Sequence, residues 1–367
     1  MAIQRKFTHL RVASGYSFKY GTAHPHQLVE RAAQFNMDSL ALTDRNGMAG
    51  VIRFTQSCES SGIAPILGVN LSFIQKKYRV TLLAQSGHLS SLYRLLTAIA
   101  MNNDENVLSY DLLEKFSEYS RNVLILHGPE SQLSLAIAAR RSSEAISIFN
   151  STRELFADQT LECVTHQIRG NGPFSTSYAA KVLNFARDHD LSAVLTNAAR
   201  MLDESDGPVA DVLDSARNLV SLDSQNVERS NSEAYLKSPE QMHLIADDLA
   251  RLSGERNGRA LLDTTRMWAE RAILSPRSDI GLGEIHLPEP SVVGAANHFE
   301  LASQLRSRCE TGLSRRYSGA LSVKASQRLE EELGAVRILG YATPTQTAFS
   351  ALPDGRLVPP YDGAKID

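Results

Sequence analysis

Leu40-Ala41-Leu42-Thr43-Asp44-Arg45-Asn46-Gly47-Met48 begins as a short apolar run and ends on a charged pair followed by the turn residues Asn46-Gly47. A continuous apolar run bounded by turn signals reads as a strand buried on both faces. The same signature recurs in Pro65-Ile66-Leu67-Gly68-Val69, Val80-Thr81-Leu82-Leu83, Val123-Leu124-Ile125-Leu126, Leu161-Glu162-Cys163-Val164 and Ala193-Val194-Leu195-Thr196. Helical patterns lie between these runs. His24-Pro25 opens one, with Leu28, Val29, Ala32 and Phe35 on one face and Pro25 suited to the first helical position. Others span about Gly47 to Ser61 and start near His88, Glu130 and Ser175. Buried strands alternating with helices predict an α/β fold with a mainly parallel sheet. Six or seven such units suit barrel closure better than a small open sheet, though an open doubly wound sheet leaves a similar pattern.

After about Asp206 the strand signal fades. Pro239 to Leu252 and Gly258 to Ile273 read as helices, the second holding Trp268, the chain's one tryptophan. A Pro- and Gly-containing stretch from Ser275-Pro276 to Pro288-Glu289-Pro290 reads as a linker or extended crossover, and two more helices follow. In the last of them Leu329, Leu333 and Val336 recur at helical spacing, with Glu330, Glu331 and Glu332 on other faces. Thr343 to Asp367 carries turn residues without apolar period and is expected to be a divergent, disordered tail.

The 367 residues are 43% hydrophobic and 22% charged, the balance of an ordinary soluble protein. A net charge of −3 makes the whole molecule no electrostatic magnet for nucleic acid, so contact with phosphates needs a local basic patch. Arg306, Arg308, Arg315 and Arg316, with Lys324 beyond them, form such a region, and a solvated helix face explains it equally well. No apolar run approaches the roughly 18 residues that span a bilayer, and Met1 to Lys6 has no signal-peptide character. Cys58, Cys163 and Cys309 are scattered, which argues against a disulfide framework or zinc knuckle and for a reducing cytoplasm.

Phe7-Thr8-His9-Leu10-Arg11-Val12-Ala13-Ser14-Gly15-Tyr16-Ser17 resembles the first motif of a PHP (polymerase and histidinol phosphatase) domain. Leu40 to Met48 resembles the second, followed by Ile63-Ala64-Pro65-Ile66-Leu67-Gly68. Within that family the closest pattern is the bacterial DNA polymerase III alpha subunit, including its error-prone relatives. Tyr235-Leu236-Lys237-Ser238-Pro239-Glu240-Gln241-Met242 is similar to the segment after that family's barrel. Arg308 to Tyr317, and Arg328 to Leu333 with Gly340-Tyr341-Ala342, resemble the opening of its palm. The resemblance implies a distorted (β/α)7 barrel over residues 1–274, the start of a polymerase palm over 275–342 and an unrelated tail over 343–367.

A PHP domain with chemistry holds two or three metal ions, zinc or manganese, at the barrel mouth through His, Asp and Glu. In metal-binding members the first motif offers histidines where this chain has Arg11 and Ala13. Alanine has no lone pair to give, and arginine stays protonated and repels a cation. The resemblance places further ligand positions at His9, which remains, at Asp44, which also remains, and at Arg45, Asn70, Arg200 and Ala210, where ligands are replaced. His9 also reads as a satisfied structural histidine. His127 and His166 end strands, so Asp44, His127 and His166 are left as candidates for one weak metal site. Asp44 is expected to pair with Arg45 or Arg11, with Arg11, Arg45 and Arg200 standing in for metal ions. Arginines that merely point to solvent are the other reading.

Polymerisation requires closely spaced aspartates that hold Mg²⁺ in the palm. No Asp-x-Asp occurs, and Asp247-Asp248 is an adjacent pair in a helix. The chain by itself is therefore expected not to extend a primer and to hold no cofactor of its own. By resemblance its partners are DNA and other replisome subunits, and its oligomeric state stays open. The leading expectation is the front of a truncated polymerase with a structural or interaction role, or a gene remnant. The alternative is a metal-dependent PHP phosphoesterase or 3′–5′ exonuclease.

Overall fold

Six apolar runs become strands in the computed structural model, which describes residues 6–74, 77–102, 107–223, 229–283, 289–317, 320–339 and 341–342. They are β1 (Ser39–Arg45), β2 (Ala64–Phe73), β3 (Tyr78–Ala84), β4 (Val123–His127), β5 (Asp158–Val164) and β6 (Ala193–Thr196). All six expected strands lie within these bounds. Residues 343–367, expected to be a disordered tail, lie outside the described residues.

The sheet follows sequence order, β1 to β6. β1/β2, β4/β5 and β5/β6 pair in parallel, whereas β3 runs antiparallel to both of its neighbours. The mainly parallel expectation is thus met except at β3. The physical reason is chain length: only residues 74–77 separate β2 from β3, and so short a link permits a hairpin but not a crossover.

The opening motif closes the ring. Ala41 and Thr43 of β1 donate to the His9 and Val12 carbonyls (3.0 and 2.8 Å), while Ala13 donates to Ala199 and Ala199 to Arg11 (2.8 and 3.0 Å). Residues 9–13 therefore stand between β1 and the segment after β6 as a seventh stave, and the architecture is a distorted (β/α)7 barrel.

Alternation along the strands sorts the core. Leu10, Ala41, Ile66, Leu83, Leu124, Leu126 and Val194 pack together inside the barrel with Trp268, while Leu40, Leu42, Leu67, Val69, Val123 and Ile125 join the outer layer beneath the helices. Trp268 lies on the helix Arg259–Glu270 and donates its indole N–H to Ser192 at 3.0 Å. Its partners Ala41, Ile66, Leu124 and Val194 sit near strand starts, so this helix plugs the end of the barrel opposite the strand ends that carry Asp44, Glu162 and Thr196.

The chain divides into two compact units at Leu282/Gly283. In the second, the helices His298–Arg316 and Ala320–Leu339 pair, linked by Arg306 and Glu330. Its buried apolar residues among those described are Ala295, Leu301 and Leu305, a small core of its own.

Candidate functional site

The strand ends converge on a buried ionic network centred on Arg11. Its Nη1 lies 3.2 Å from Glu162 Oε2 and its Nη2 2.5 Å from Glu130 Oε2. Glu162 projects inward from β5 and accepts a 2.5 Å hydrogen bond from the Thr196 hydroxyl at the end of β6. Glu130 follows β4 through Gly128-Pro129. A Cβ at Gly128 would collide with Glu162 Oε2 and lie 2.8 Å from Arg11 Nη1, so the ion pair needs glycine there. Burial pushes the Glu162 carboxyl above its ordinary value despite Arg11 and Thr196. Burial also works to raise Glu130, but Arg11, Arg45 and Arg79 around it hold it below the usual carboxylate range. Two carboxylates of one mouth thus have opposite tendencies because only one is surrounded by cations.

A second layer stacks on Tyr20. The guanidinium carbons of Arg45, Arg200 and Arg217 lie 3.4, 4.4 and 5.6 Å from its ring centroid. Arg200 also donates to Asp214 (2.9 Å) and to the Ala210 carbonyl (3.2 Å), and Arg217 donates to Asp214 (2.7 Å). Burial tends to raise the Tyr20 phenol, yet Arg45 and Arg200 outweigh it and the net direction is downward.

The expected Asp44–arginine pairing is corrected by this geometry. Asp44 is buried and its Oδ1 accepts from the Ser14 amide (2.6 Å), the Ser14 hydroxyl (3.1 Å) and the Ser17 hydroxyl (2.7 Å). Neutral donors of the first motif fold back over β1 and satisfy the carboxylate, so the arginines turn to Glu130, Glu162 and Asp214 instead. Asn70 is likewise engaged: its side-chain oxygen accepts from Arg79 Nε at 2.6 Å and its amide donates to Thr81 at 3.0 Å.

The histidines do not assemble. His9 is buried, bonds the Lys237 carbonyl through Nε2 at 2.9 Å and meets Phe7 edge-on, leaving Nδ1 without a partner. His166 bonds the Asn197 carbonyl at 2.9 Å and stacks on Phe174 in the mouth. His127 shares its strand face with Ile125, bonds Gln159 at 3.2 Å and lines an apolar pocket with Phe73, Leu108 and Phe156. That placement corrects the expectation that Asp44, His127 and His166 gather at one site, since strand alternation sends His127 to the outer layer. Burial lowers all three imidazoles to about 4, so they are neutral at neutral pH. Ala13 and Ala210 are buried and apolar, Ala210 packing with Met201 and Ala234. Among the described residues, no three His, Cys, Asp or Glu side chains group closely enough to hold a metal ion. The residues present therefore do not fit the family's multi-metal cluster, and an arginine stands between the two mouth carboxylates.

Glu130, Glu162 and Tyr20 escaped the sequence reading. Glu162 did leave a signal, a lone carboxylate inside the apolar run Leu161 to Val164, whereas Tyr20 left none. In the second unit, Arg306 is bonded to Glu330 (2.8 Å) and Glu310 (3.3 Å), while Arg315 and Arg316 are exposed in the last helical turn.

Residues 9–166, less than half of the chain, match the sequence profile of the PHP domain. The chain is 26% identical over 255 residues to a DNA polymerase III subunit alpha of Buchnera aphidicola, covering 66% of this chain and 22% of that protein. It is 28% identical over 355 residues to an error-prone DNA polymerase of Symbiobacterium thermophilum, covering 91% of this chain and 31% of that protein. The PHP-bearing chain is thus related to polymerase III alpha subunits and error-prone polymerases, and spans less than a third of these curated relatives. Among solved structures, an amidohydrolase of Chromobacterium violaceum with bound sulfate and no metal overlaps 53% of this chain and 87% of its own, at 13% identity and a TM-score of 0.36.

Proposed function

We propose that this chain is the front of a DNA polymerase III alpha-type protein whose PHP domain is a non-catalytic scaffold. A guanidinium–carboxylate network holds its barrel mouth in place of a metal cluster. The observation that carries this reading is Arg11, buried between Glu130 and Glu162 where the resemblance calls for a ligand histidine. A protonated guanidinium there repels a divalent cation and engages the two carboxylates such an ion would need.

In this reading the barrel occupies residues 1–274 and residues 275–342 begin the palm. His9, Arg11, Ala13, Asp44, Arg45, Asn70, Arg200 and Ala210 mark the altered site. The chain by itself does not extend a primer. Contacts with DNA and replisome subunits, including those of Arg308, Arg315 and Arg316, belong to the same reading, as does a cytoplasmic setting. No helix among the described residues is long and apolar enough to cross a membrane.

Elemental analysis of the purified chain tests the proposal. Less than one zinc or manganese per chain after exposure to both ions is expected, with no release of phosphate from a phosphomonoester and no nucleotide from primer ends. Two tightly bound ions with either activity would establish the phosphoesterase or exonuclease reading instead.

A further inference from the structure

The helix Gly207–Asn218, which follows the barrel's last strand, is built inside out. Its charged side chains are spent inward. Asp211 accepts from Arg229 (2.7 Å), Asp214 is buried against Arg200 and Arg217 (2.9 and 2.7 Å), and Arg217 also donates to the Lys19 carbonyl (2.9 Å). The opposite face carries Ser205, Pro208, Val209, Val212, Ala216 and Leu219, exposed at helical spacing and none of them charged. A helix face turned to water ordinarily carries charged and polar residues.

Phe18 widens this stripe. Lys19 donates to the Ala216 carbonyl (2.9 Å) and its ammonium lies 5.3 Å from the Phe18 ring centroid, so that ring, 81% exposed, stands near Ala216. Leu219 closes the helix in the left-handed conformation, φ +56°, with the Val220 amide donating to the Ser215 carbonyl at 3.1 Å. Glycine fills that position without strain. Here a leucine fills it and remains 87% exposed, gaining nothing from burial within this chain. An aromatic side chain presents about 150–250 Å² and Val or Leu somewhat less, so Phe18, Val209, Val212, Leu219, Val220 and Leu222 leave roughly 600–700 Å² of apolar surface in water. That exceeds the roughly 300–600 Å² of a typical monomer's largest apolar patch. It falls within the roughly 600–1,000 Å² that one partner contributes to a stable interface.

We propose that this face is a dimer interface, on which the helix Gly207–Asn218 of a second copy packs antiparallel about a twofold axis near Val212. A twofold contact sets the patch against itself, and a neutral stripe meets its own copy without charge repulsion. Antiparallel alignment also brings the acidic end of one helix toward the basic end of the other. Glu204, exposed and bonded to no cation among the described residues, then approaches Lys19 of the second copy, whose side chain has only the Ala216 carbonyl as a hydrogen-bond partner among the described residues. The interface does not depend on whether the mouth holds a metal ion.

Sedimentation velocity of the full chain, from low micromolar to several hundred micromolar, tests this. A reversible monomer–dimer equilibrium with a micromolar Kd is expected. Val212→Glu should weaken association about tenfold or more, because it sets two like charges face to face at the axis. Leu219→Gly should weaken it about fivefold or more. The same change relieves the left-handed backbone, so it should raise the thermal midpoint when both proteins are dilute enough to be monomeric. Ile52→Glu, as exposed as Val212 but on the helix Val51–Ser61, leaves association unchanged. Weakening by either folded variant supports the interface. A chain that stays monomeric throughout overturns it and leaves the face to a different occupant. A dimer that survives both Val212→Glu and Leu219→Gly, with circular dichroism showing intact folds, overturns it too.

Discussion

The two ends of this barrel are built by the same strands and held by different physics. At the plugged end Trp268, Ala41, Ile66, Leu124 and Val194 exclude water and cohere through apolar burial, which is non-directional and tolerant of salt. At the mouth Arg11, Glu162 and Thr196 are buried and Glu130 half-buried, but they cohere through directed charge-assisted bonds, whose desolvation cost offsets much of their attraction. The lesson is that directed bonds between charged groups can hold a barrel mouth, at the cost of making each group depend on its partner.

That difference can be broken experimentally. Truncating the plug, Trp268→Ala, should cost about 3–5 kcal/mol in urea denaturation, with little change on adding salt. Arg11→Leu should cost a comparable amount, roughly 3–5 kcal/mol, because Glu162 is left buried without its cation. The ends should then diverge: adding Glu162→Gln to Arg11→Leu should recover part of the loss, whereas no second substitution of this kind rescues the plug. A double-mutant cycle without coupling between positions 11 and 162 would show that the ionic description of the mouth is wrong.

Acid sharpens the comparison next. His9, His127 and His166 have folded values near 4, below the ordinary 6.5, with burial as the main cause. The unfolded chain binds these protons more readily, so their contribution is fully present above pH 6.5 and is lost as pH falls toward 4. Each contributes at most about 1.4 kcal/mol per unit of displacement. His9→Gln should flatten the fall in stability across that window. Gly128→Ala should cost about 1–3 kcal/mol by crowding the Arg11–Glu162 pair, while leaving Trp268 fluorescence unchanged. The smallest effect is spectroscopic: an absorbance titration should find one tyrosine ionising below the ordinary value of about 10. Tyr20→Phe should remove it.

Much of the fold was open to inspection in the chain. Apolar runs bounded by turns located all six strands, and Pro25, Ser175 and Ser238-Pro239 marked helix starts that the structure keeps. Even the reversal of β3 was implicit in the four residues that join it to β2. The site was less legible. His127 ends a strand, as a ligand should, but one step of alternation decides whether an end residue faces the mouth or the outer layer. Asp44 was expected to pair with Arg45, its neighbour in sequence, or with Arg11 of the first motif, yet serine hydroxyls of that motif reach it instead.

The sequence by itself determined which segments are strands, and its resemblance to the PHP family implied that they close as a barrel. The first follows from local apolar periodicity, the second from the motifs that carry the resemblance. Only the tertiary structure decided that Arg11 lies between Glu130 and Glu162, separated from it by 119 and 151 residues, and that three guanidiniums gather on Tyr20. The reason is physical: a charge buried at a barrel mouth takes its partner from whichever staves converge there, and convergence is set by closure of the ring, not by proximity along the chain.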